Sequence, residues 1–172
     1  MKTLVFVRHG KSDWSMEGQP DIDRPLNPRG YTDAHRMGAL LFQKIGKPGI
    51  MISSPAIRAL STALIFAAET GFPKSKLILN EQLYETDEKE YLRIASEIDD
   101  RYQSAIVFGH NPTISNVYSG YARRLENLPT CAILILQSTS GSWKSLSREN
   151  TKVLELLTPR GESLRFRTPF IP

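Results

Sequence analysis

Short apolar segments alternate with helical patterns along most of the chain, and this alternation constrains the fold more than any other feature. Six apolar runs are predicted as strands, at residues 3–7, 50–52, 77–79, 105–108, 132–136 and 153–157. Helical patterns are interspersed with them at residues 27–45, 54–71, 87–98 and 112–123. Because strands that are apolar on both faces must be covered twice, the sequence predicts an α/β fold. We expect a mostly parallel, mixed sheet with helices on both faces.

The ends and the buried faces of the helices are also predicted by the sequence. Asn27 is the expected N-cap of the first helix, and Gly46 follows its last residue. Ser54 and Pro55 are the expected cap of the second helix, which stops at Gly71. The predicted buried stripes are Ala34, Met37, Leu41 and Ile45 in the first helix, Ile57, Leu60, Leu64 and Ala68 in the second, and Tyr91, Ile94, Ala95 and Ile98 in the third.

Length and composition exclude several classes of protein. A chain of 172 residues without repeats or linkers is predicted to form one domain that spans residues 1–172. Its apolar runs are far shorter than the ~18–20 residues of a membrane span, and its first ten residues lack the pattern of a signal peptide. The one cysteine, Cys131, lies in an apolar run and is predicted to be buried. We therefore expect a cytoplasmic protein that does not bind membranes.

The charge of the chain is mildly basic and evenly spread. Lysine and arginine number 22 against 18 acidic residues, which gives a net charge of +4. These positive charges form no run of five or more, and they are not interleaved with aromatic residues. The composition therefore gives no indication of nucleic-acid binding and slightly favours anionic ligands.

Arginine, histidine and one carboxylate recur where the predicted strands end. Arg8 and His9 follow the first strand, and Arg58 lies shortly after the second. Glu85 comes after the third strand, and His110 comes after the fourth. Ligands of an open α/β sheet bind beyond the carboxyl ends of its strands, so these side chains are expected to converge on one site.

The residue types of this predicted site suit a phosphoryl group. The planar guanidinium groups of Arg8 and Arg58 each present several donors to phosphate oxygens. Arg58 also lies in the first turn of its predicted helix, where main-chain N–H groups attract anions. Nearby cations disfavour a charged imidazole, so His9 is expected to be neutral and nucleophilic. Gly10 allows the backbone to turn tightly beside a ligand.

These motifs resemble those of the histidine phosphatase superfamily, which has the phosphoglycerate-mutase-like three-layer fold. The matching segments, in chain order, are RHGKSDW, DRPLNPRG, SSPAIRALSTA, LYE, VFGHNP and LPTCAILIL. The resemblance as a whole extends from residue 4 to about residue 136, and it is greatest to the short SixA-type phosphohistidine phosphatases. The resemblance implies that His9 is the phosphorylated nucleophile and that Arg8, Arg58 and His110 complete the phosphate pocket. It implies no cofactor, and the sequence contains no cluster with the spacing of metal ligands.

The resemblance identifies the proton donor to the leaving group less clearly than the phosphate pocket. Glu85 occupies the region where many relatives place this acid. Four other carboxylates are alternatives, although we interpret them as turn or cap residues: Asp13, Asp21, Asp23 and Asp87.

Three functions follow from these expectations. The first is a metal-independent phosphatase that acts on phosphohistidine in a protein, because the chain between Glu85 and Ser104 has room for only about one helix. Without a longer insertion to cover the site, we expect an open cleft that admits water and a large substrate. The second is hydrolysis of a small phosphomonoester derived from a sugar or a nucleotide. The third is an adaptor that binds phosphate groups without turning them over.

Overall fold

A computed structural model describes residues 1–161 and the backbone of residues 163–165. The strands are β1 (Lys2–Arg8), β2 (Ile50–Ser53), β3 (Ile78–Leu79), β4 (Ser104–Gly109), β5 (Ile133–Ser138), β6 (Thr151–Leu157) and β7 (Ser163–Arg165). The helices are α1 (Pro28–Ile45), α2 (Ile57–Thr70), α3 (Glu88–Ser96) and α4 (Thr113–Ala122). Each predicted strand and helix is therefore present, with ends shifted by a few residues. None of the helices in these described ranges is both long and apolar enough to cross a bilayer.

The strands form one mixed sheet in the order β3-β2-β4-β1-β5-β6-β7. β1 lies at the junction between two kinds of pairing: Val5 is opposite Ile106 of the parallel strand β4 and opposite Ile135 of the antiparallel strand β5. The prediction of a mixed sheet is confirmed, although parallel pairings do not predominate: the described strands form three parallel and three antiparallel pairings. Strands β5, β6 and β7 are joined without α-helical crossovers, which is why they run antiparallel.

Two apolar cores lie on the two faces of the sheet. On one face, α1 and α2 cover β-strand side chains that include Val5, Met51 and Ile106. On the other face, α3 and α4 cover the alternate side chains of the same strands, including Phe6 and Val107. Alternation of side chains along each strand sends neighbours to opposite faces, so a continuous apolar run fills both cores. The predicted three-layer arrangement is confirmed.

The buried stripe predicted for α2 is wrong. Ile57 is 38% exposed and Ala68 is also exposed, whereas Leu60 and Leu64 are only half-buried. The buried side of the helix consists instead of Arg58, Ala59, Thr62, Ala63, Phe66, Ala67 and Thr70. α2 is apolar around most of its circumference, so periodicity does not identify the inner side. Small residues there let α2 approach the sheet closely.

The C-terminal segment 163–172 is predicted to be non-helical and to run along the surface, because it is rich in proline. Residues 163–165 of this segment form a strand, and the rest of it lies outside the described residues. β7 pairs antiparallel with β6, with Leu156 opposite Leu164. β7 lies at the end of the sheet, six strands from β3, and takes no part in positioning the loops beyond β1, β2 and β4.

Candidate active site

The carboxyl ends of three adjacent strands bring the predicted site residues together. β2, β4 and β1 are neighbours, and their last residues are in register: Arg8 is opposite Gly109, and Ser53 is opposite Phe108. The residues that follow these strands line a cleft of about 520 Å³. All five predicted site residues lie in its wall, namely Arg8, His9, Arg58, Glu85 and His110. The prediction of a single convergent site therefore agrees with the geometry.

His9 is held with one ring nitrogen facing the cleft. Its Nδ1 lies 2.7 Å from the carbonyl oxygen of Gly10, which can only accept, so Nδ1 carries the proton. The unprotonated Nε2 accepts a hydrogen bond of 3.3 Å from Nε of Arg58. His9 is 8% exposed, and this burial, reinforced by the charges of His110, Arg58 and Arg8, lowers its pKa to about 3. The ring is therefore neutral at physiological pH, with its lone pair directed at Arg58.

Close backbone contacts fix the loop that carries His9. The N–H of Gly10 donates to Oγ1 of Thr62 in α2 at 3.0 Å. A Cβ on Gly10 would lie 2.8 Å from the carbonyl oxygen of Gly30 in the first turn of α1, so only glycine fits there. Asn27 caps that turn as predicted, because its side chain accepts from the N–H of Gly30. The starts of α1 and α2 thus hold the loop after β1 from two sides.

Arg58 is anchored by Asp21, a residue of the 3-10 turn Asp21–Asp23. Nη1 of Arg58 donates to the main-chain oxygen of Asp21, and Nη2 donates to its carboxylate at 2.8 Å. A third N–H, on Nε, points at His9, and each terminal nitrogen carries a second N–H beyond these contacts. Asp21 therefore fixes the orientation of Arg58, which keeps further N–H donors for the phosphate oxygens that we expect it to bind.

Arg8 reaches the cleft from the end of β1. Its Nη1 donates to the main-chain oxygen of Leu128, while its Nε is buried without a hydrogen-bond partner among the described residues. Burial lowers the pKa of this guanidinium from its ordinary value, although arginine remains charged. Arg8 therefore contributes a cation whose hydrogen-bonding capacity is not filled by the protein.

His110 lies beside His9, with ring centroids 5.2 Å apart. Its Nε2 is 2.7 Å from the hydroxyl of Ser54, and its main-chain N–H donates to the Tyr91 hydroxyl at 3.1 Å. Burial lowers the pKa of His110 to about 4, and the charge of Arg58 adds to this effect. The predicted capping role of Ser54 is wrong, since α2 starts at an Ala56 cap that lacks a side-chain bond. Ser54 instead holds the second histidine.

Tyr91 explains why glycine precedes His110. The Tyr91 hydroxyl donates to the main-chain oxygen of Leu83 at 2.9 Å and so joins α3 to the segment that leads to Glu85. A Cβ on Gly109 would lie 2.0 Å from this hydroxyl, a distance that no side chain tolerates. The hydroxyl thus ties together the His110 backbone and the loop after β3.

Glu85 lies at the exposed rim of the cleft. Its φ of 53° is uncommon for a residue other than glycine and occurs where the chain turns after the 3-10 segment Glu81–Leu83. Within the described residues its carboxylate has no hydrogen bond or ion pair, so it is accessible to water and to a leaving group. Strained backbone at a cleft is a frequent property of functional positions.

The four alternative carboxylates have different surroundings. Asp13 accepts from the N–H of Ser15, and Asp87 caps α3 by accepting from the N–H of Glu90, as a turn residue and a cap residue should. Asp23 is exposed and lies outside the cleft wall. Asp21 is not merely a turn residue, because it lines the cleft and contacts Arg58. Donors from Tyr84, Arg58 and Arg24 hold the Asp21 pKa well below its usual range, so Asp21 stays ionised and is unsuited to donate a proton.

Sequence reasoning missed three residues that complete the cleft wall. Arg24 donates to Asp21 through Nε at 3.0 Å and through Nη2 at 2.8 Å, and the Tyr84 hydroxyl donates to the same carboxylate at 2.8 Å. Trp14 lies against Arg24. The sequence did contain one indication that these residues belong to the site, because they lie within the motifs RHGKSDW, DRPLNPRG and LYE. For Trp14 and Arg24, position relative to the strands carried no information, because residues 13–25 are irregular apart from a short 3-10 turn. Tyr84 directly precedes Glu85 after the third strand, so its position did point to the cleft.

The site has the composition of an anion pocket. The described part of the chain contains no group of three or more histidine, cysteine, aspartate or glutamate residues in position to hold a metal ion. Cations and neutral imidazoles predominate instead around Nε2 of His9. Such an arrangement is chemically able to bind a phosphoryl group, to present a neutral imidazole to it and to stabilise charge on its oxygens.

Comparison with known proteins places this site in a family. The model of the histidine phosphatase superfamily (branch 1) matches residues 4–120. An uncharacterized protein of Mycobacterium leprae is 27% identical to the chain over 168 residues, which cover 90% of this chain and 100% of that protein.

Two solved structures have the same fold. One is a protein of Agrobacterium tumefaciens provisionally named the phosphohistidine phosphatase SixA, with a TM-score of 0.77, 21% identity, and coverage of 92% of this chain and 98% of that one. The other is a mycobacterial glucosyl-3-phosphoglycerate phosphatase complexed with VO3, with a TM-score of 0.69, 16% identity, and coverage of 89% and 97%. The predicted fold and the resemblance to SixA-type proteins in fold are confirmed.

Proposed function

Because the chain belongs to the histidine phosphatase superfamily, whose members are phosphatases and mutases, we propose that it is a metal-independent phosphatase acting through a phosphohistidine at His9. The observation that carries this proposal is the state of the His9 ring. Nδ1 is fixed by Gly10, and Nε2 is an unprotonated lone pair next to the guanidinium of Arg58. A neutral imidazole held in this way is a nucleophile that needs no separate base.

In the first step, the Nε–H of Arg58 moves from Nε2 of His9 to a phosphoryl oxygen of the bound substrate. The freed lone pair of Nε2 attacks the phosphorus in line with the leaving group. A bond forms between nitrogen and phosphorus, and the bond from phosphorus to the leaving group breaks. The cations of Arg8 and Arg58 stabilise the negative charge on the phosphoryl oxygens, with His110 as a further donor. Glu85 supplies a proton to the leaving group from the rim of the cleft.

In the second step, water attacks the phosphorus from the side that the leaving group has vacated. The Glu85 carboxylate accepts a proton from this water, the nitrogen–phosphorus bond breaks, and inorganic phosphate leaves. His9 returns to its neutral form with Nδ1 still donating to Gly10, so the ring is ready for the next cycle.

The open cleft supports hydrolysis rather than transfer between two positions of one substrate. The described stretch between Glu85 and Ser104 contains α3 and no longer insertion that would cover the site. Glu85 itself is exposed, so water reaches the phosphoryl group. A mutase must keep water out, because its phosphoenzyme would otherwise be hydrolysed.

Phosphohistidine in a protein is the substrate that we favour. An open cleft accommodates a side chain that projects from a large partner, and the likeness in fold to SixA points in the same direction. A small phosphomonoester is the second candidate, which the likeness in fold to a glucosyl-3-phosphoglycerate phosphatase favours. One domain over residues 1–172 and a cytoplasmic location remain predictions from the sequence.

A competition between substrates tests the proposal. We expect kcat/KM to be higher for a phosphohistidine-bearing protein than for a panel of sugar and nucleotide phosphomonoesters. The reverse order would favour the second candidate, and binding without turnover of any member would favour the adaptor.

The covalent intermediate is tested with labelled substrate. We expect an acid-labile, base-stable phosphoryl adduct on the native protein and on His35→Ala, since His35 is exposed and pairs with Glu69 away from the cleft. The adduct should disappear in His9→Ala. Turnover that survives in His9→Ala would overturn the mechanism.

A further inference from the structure

A large aromatic side chain is exposed at the cleft. Trp14 lies in the cleft wall and is 71% exposed, the largest exposed apolar ring among the described residues. The guanidinium carbon of Arg24 lies 3.4 Å from the centroid of the Trp14 ring system, so the guanidinium covers one face of the indole. Because an indole has two faces and this one remains so exposed, the opposite face is open.

Arg24 is fixed firmly enough to act as a support. It is only 8% exposed, and its Nη1 donates to Oγ of Ser12 at 2.8 Å. Its Nε and Nη2 both donate to Oδ1 of Asp21. Ser12 is in turn paired in a β-bridge with Leu26, which closes the base of the intervening segment. The indole therefore lies against a guanidinium that cannot readily change its orientation.

A chain of contacts connects this ring to the reacting atom. Trp14 contacts Arg24, whose partner Asp21 also holds Arg58, and Arg58 donates to Nε2 of His9. The group bound to phosphorus must lie on the side opposite Nε2 of His9 during an in-line transfer. Trp14 lies in the wall of the cleft through which this group enters and leaves.

We infer that the open face of Trp14 is a subsite for the planar ring that carries the phosphoryl group, and that its occupant is the imidazole of a phosphohistidine side chain. This inference rests on the proposed function. A ring bonded directly to phosphorus is flat and rigid, so it stacks on an indole face without losing internal freedom. The guanidinium behind the indole is attracted to the ring face and so holds the indole in place for stacking on its other face.

The test compares substrates whose leaving group contains a ring with substrates whose leaving group does not. One pair is a phosphohistidine peptide and the phospholysine peptide of the same sequence, which both break a nitrogen–phosphorus bond. The other pair is phenyl phosphate and ethyl phosphate. We expect Trp14→Ala to lower kcat/KM about threefold to tenfold for the two ring substrates and to leave the two ringless ones within twofold. Trp14→Phe should retain most of the activity with all four.

Met16→Ala is the matched control, because Met16 is exposed in the same segment but is absent from the cleft wall. It should leave all four substrates unchanged. An equal loss for ring and ringless substrates in Trp14→Ala, or no loss at all, would overturn the inference.

The experiments also distinguish failure of this inference from failure of the proposed function. If the native protein did not hydrolyse the phosphohistidine peptide, the phenyl and ethyl pair would still measure the effect of Trp14. A binding experiment needs no turnover: phenylphosphonate should protect the exposed Trp14 from quenching by acrylamide, and ethylphosphonate should not. The only other tryptophan, Trp143, is fully buried and contributes little to this quenching. Equal protection by the two phosphonates would contradict the subsite.

Discussion

Arg58 makes an end-on contact with Asp21, in which both of its terminal nitrogens donate to this one residue. The contact leaves the Nε–H of Arg58 as the donor that faces the lone pair of His9. A two-point contact fixes the plane of a guanidinium, whereas a single hydrogen bond would let it rotate. Asp21 therefore determines where the charge of Arg58 lies relative to the nucleophile.

Replacement of Asp21 should affect the reaction more than the fold. We expect Asp21→Asn to lower kcat about tenfold to a hundredfold, because the amide loses the charge that orients Arg58. Thermal stability should also fall, but modestly, because the half-exposed carboxylate pairs with the buried guanidinium groups of Arg58 and Arg24. Steady-state kinetics with phenyl phosphate measure the effect. Asp23→Asn is the control, because Asp23 lies in the same turn outside the cleft wall. An equal effect of the two substitutions would refute the role of Asp21.

The role of Glu85 as the acid predicts a dependence on the leaving group. Glu85→Gln should lower the rate for ethyl phosphate by about 10²–10⁴-fold, because an alkoxide needs a proton as it departs. The rate for p-nitrophenyl phosphate should fall far less, since nitrophenolate leaves without protonation. A series of aryl and alkyl phosphates measures this slope. A loss of the same size for every leaving group would assign the proton transfer to another group.

The low pKa values of the two buried histidines predict how stability depends on pH. His9 and His110 have a pKa of about 3 and about 4, below the ordinary value of 6.5. Between pH 6.5 and about pH 4, the unfolded chain binds more protons than the folded one. The free energy of unfolding should therefore decrease as the pH falls through this range. The slope is about 1.4 kcal/mol per pH unit for each ring.

Urea denaturation between pH 5 and pH 8 measures this slope for the native protein and for His9→Gln. The variant should lose about half of the slope, because one of the two rings no longer titrates. His35→Gln is the control, since this histidine is exposed. An unchanged slope in His9→Gln would mean that His9 is not buried as a neutral ring.

The two hydrogen bonds of the buried Tyr91 hydroxyl predict that its removal lowers both stability and activity. Tyr91→Phe leaves the main-chain N–H of His110 and the carbonyl of Leu83 without their shared partner. We expect the variant to be less stable by about 1–3 kcal/mol and to have a lower kcat, because both loops that it joins lie at the cleft. Denaturant unfolding and kinetics measure the two effects. Tyr31→Phe, a change at an exposed position of α1, should alter neither quantity.

The convergence of the candidate site residues was predictable from the sequence, because these residues follow the ends of strands. His9, Arg58 and His110 follow three apolar runs, and parallel neighbours place their carboxyl ends at one edge of a sheet. Periodicity also identified the buried sides of α1 and α3. It failed for α2, where apolar residues surround the helix and only the closeness of the sheet selects Ala59, Ala63 and Ala67 as the inner face.

The wall of the cleft was not predictable in the same way. Asp21, Arg24 and Trp14 lie in an irregular segment whose path depends on the bridge between Ser12 and Leu26. Short-range patterns contain no information on such a bridge, because its partners are brought together by tertiary packing. The interpretation of Asp21 as a turn residue was therefore correct for the backbone. It missed the ion pair with Arg58, which lies in a distant part of the chain.

The central position of β1 has a mechanical consequence. This strand is hydrogen-bonded to β4 along one edge and to β5 along the other, so it cannot slide unless many bonds break together. His9, which directly follows β1, is therefore held at a constant position and direction relative to the sheet. Differences between ligands must therefore be met by side chains outside this hydrogen-bonded frame, such as Trp14 and Glu85 in the cleft wall.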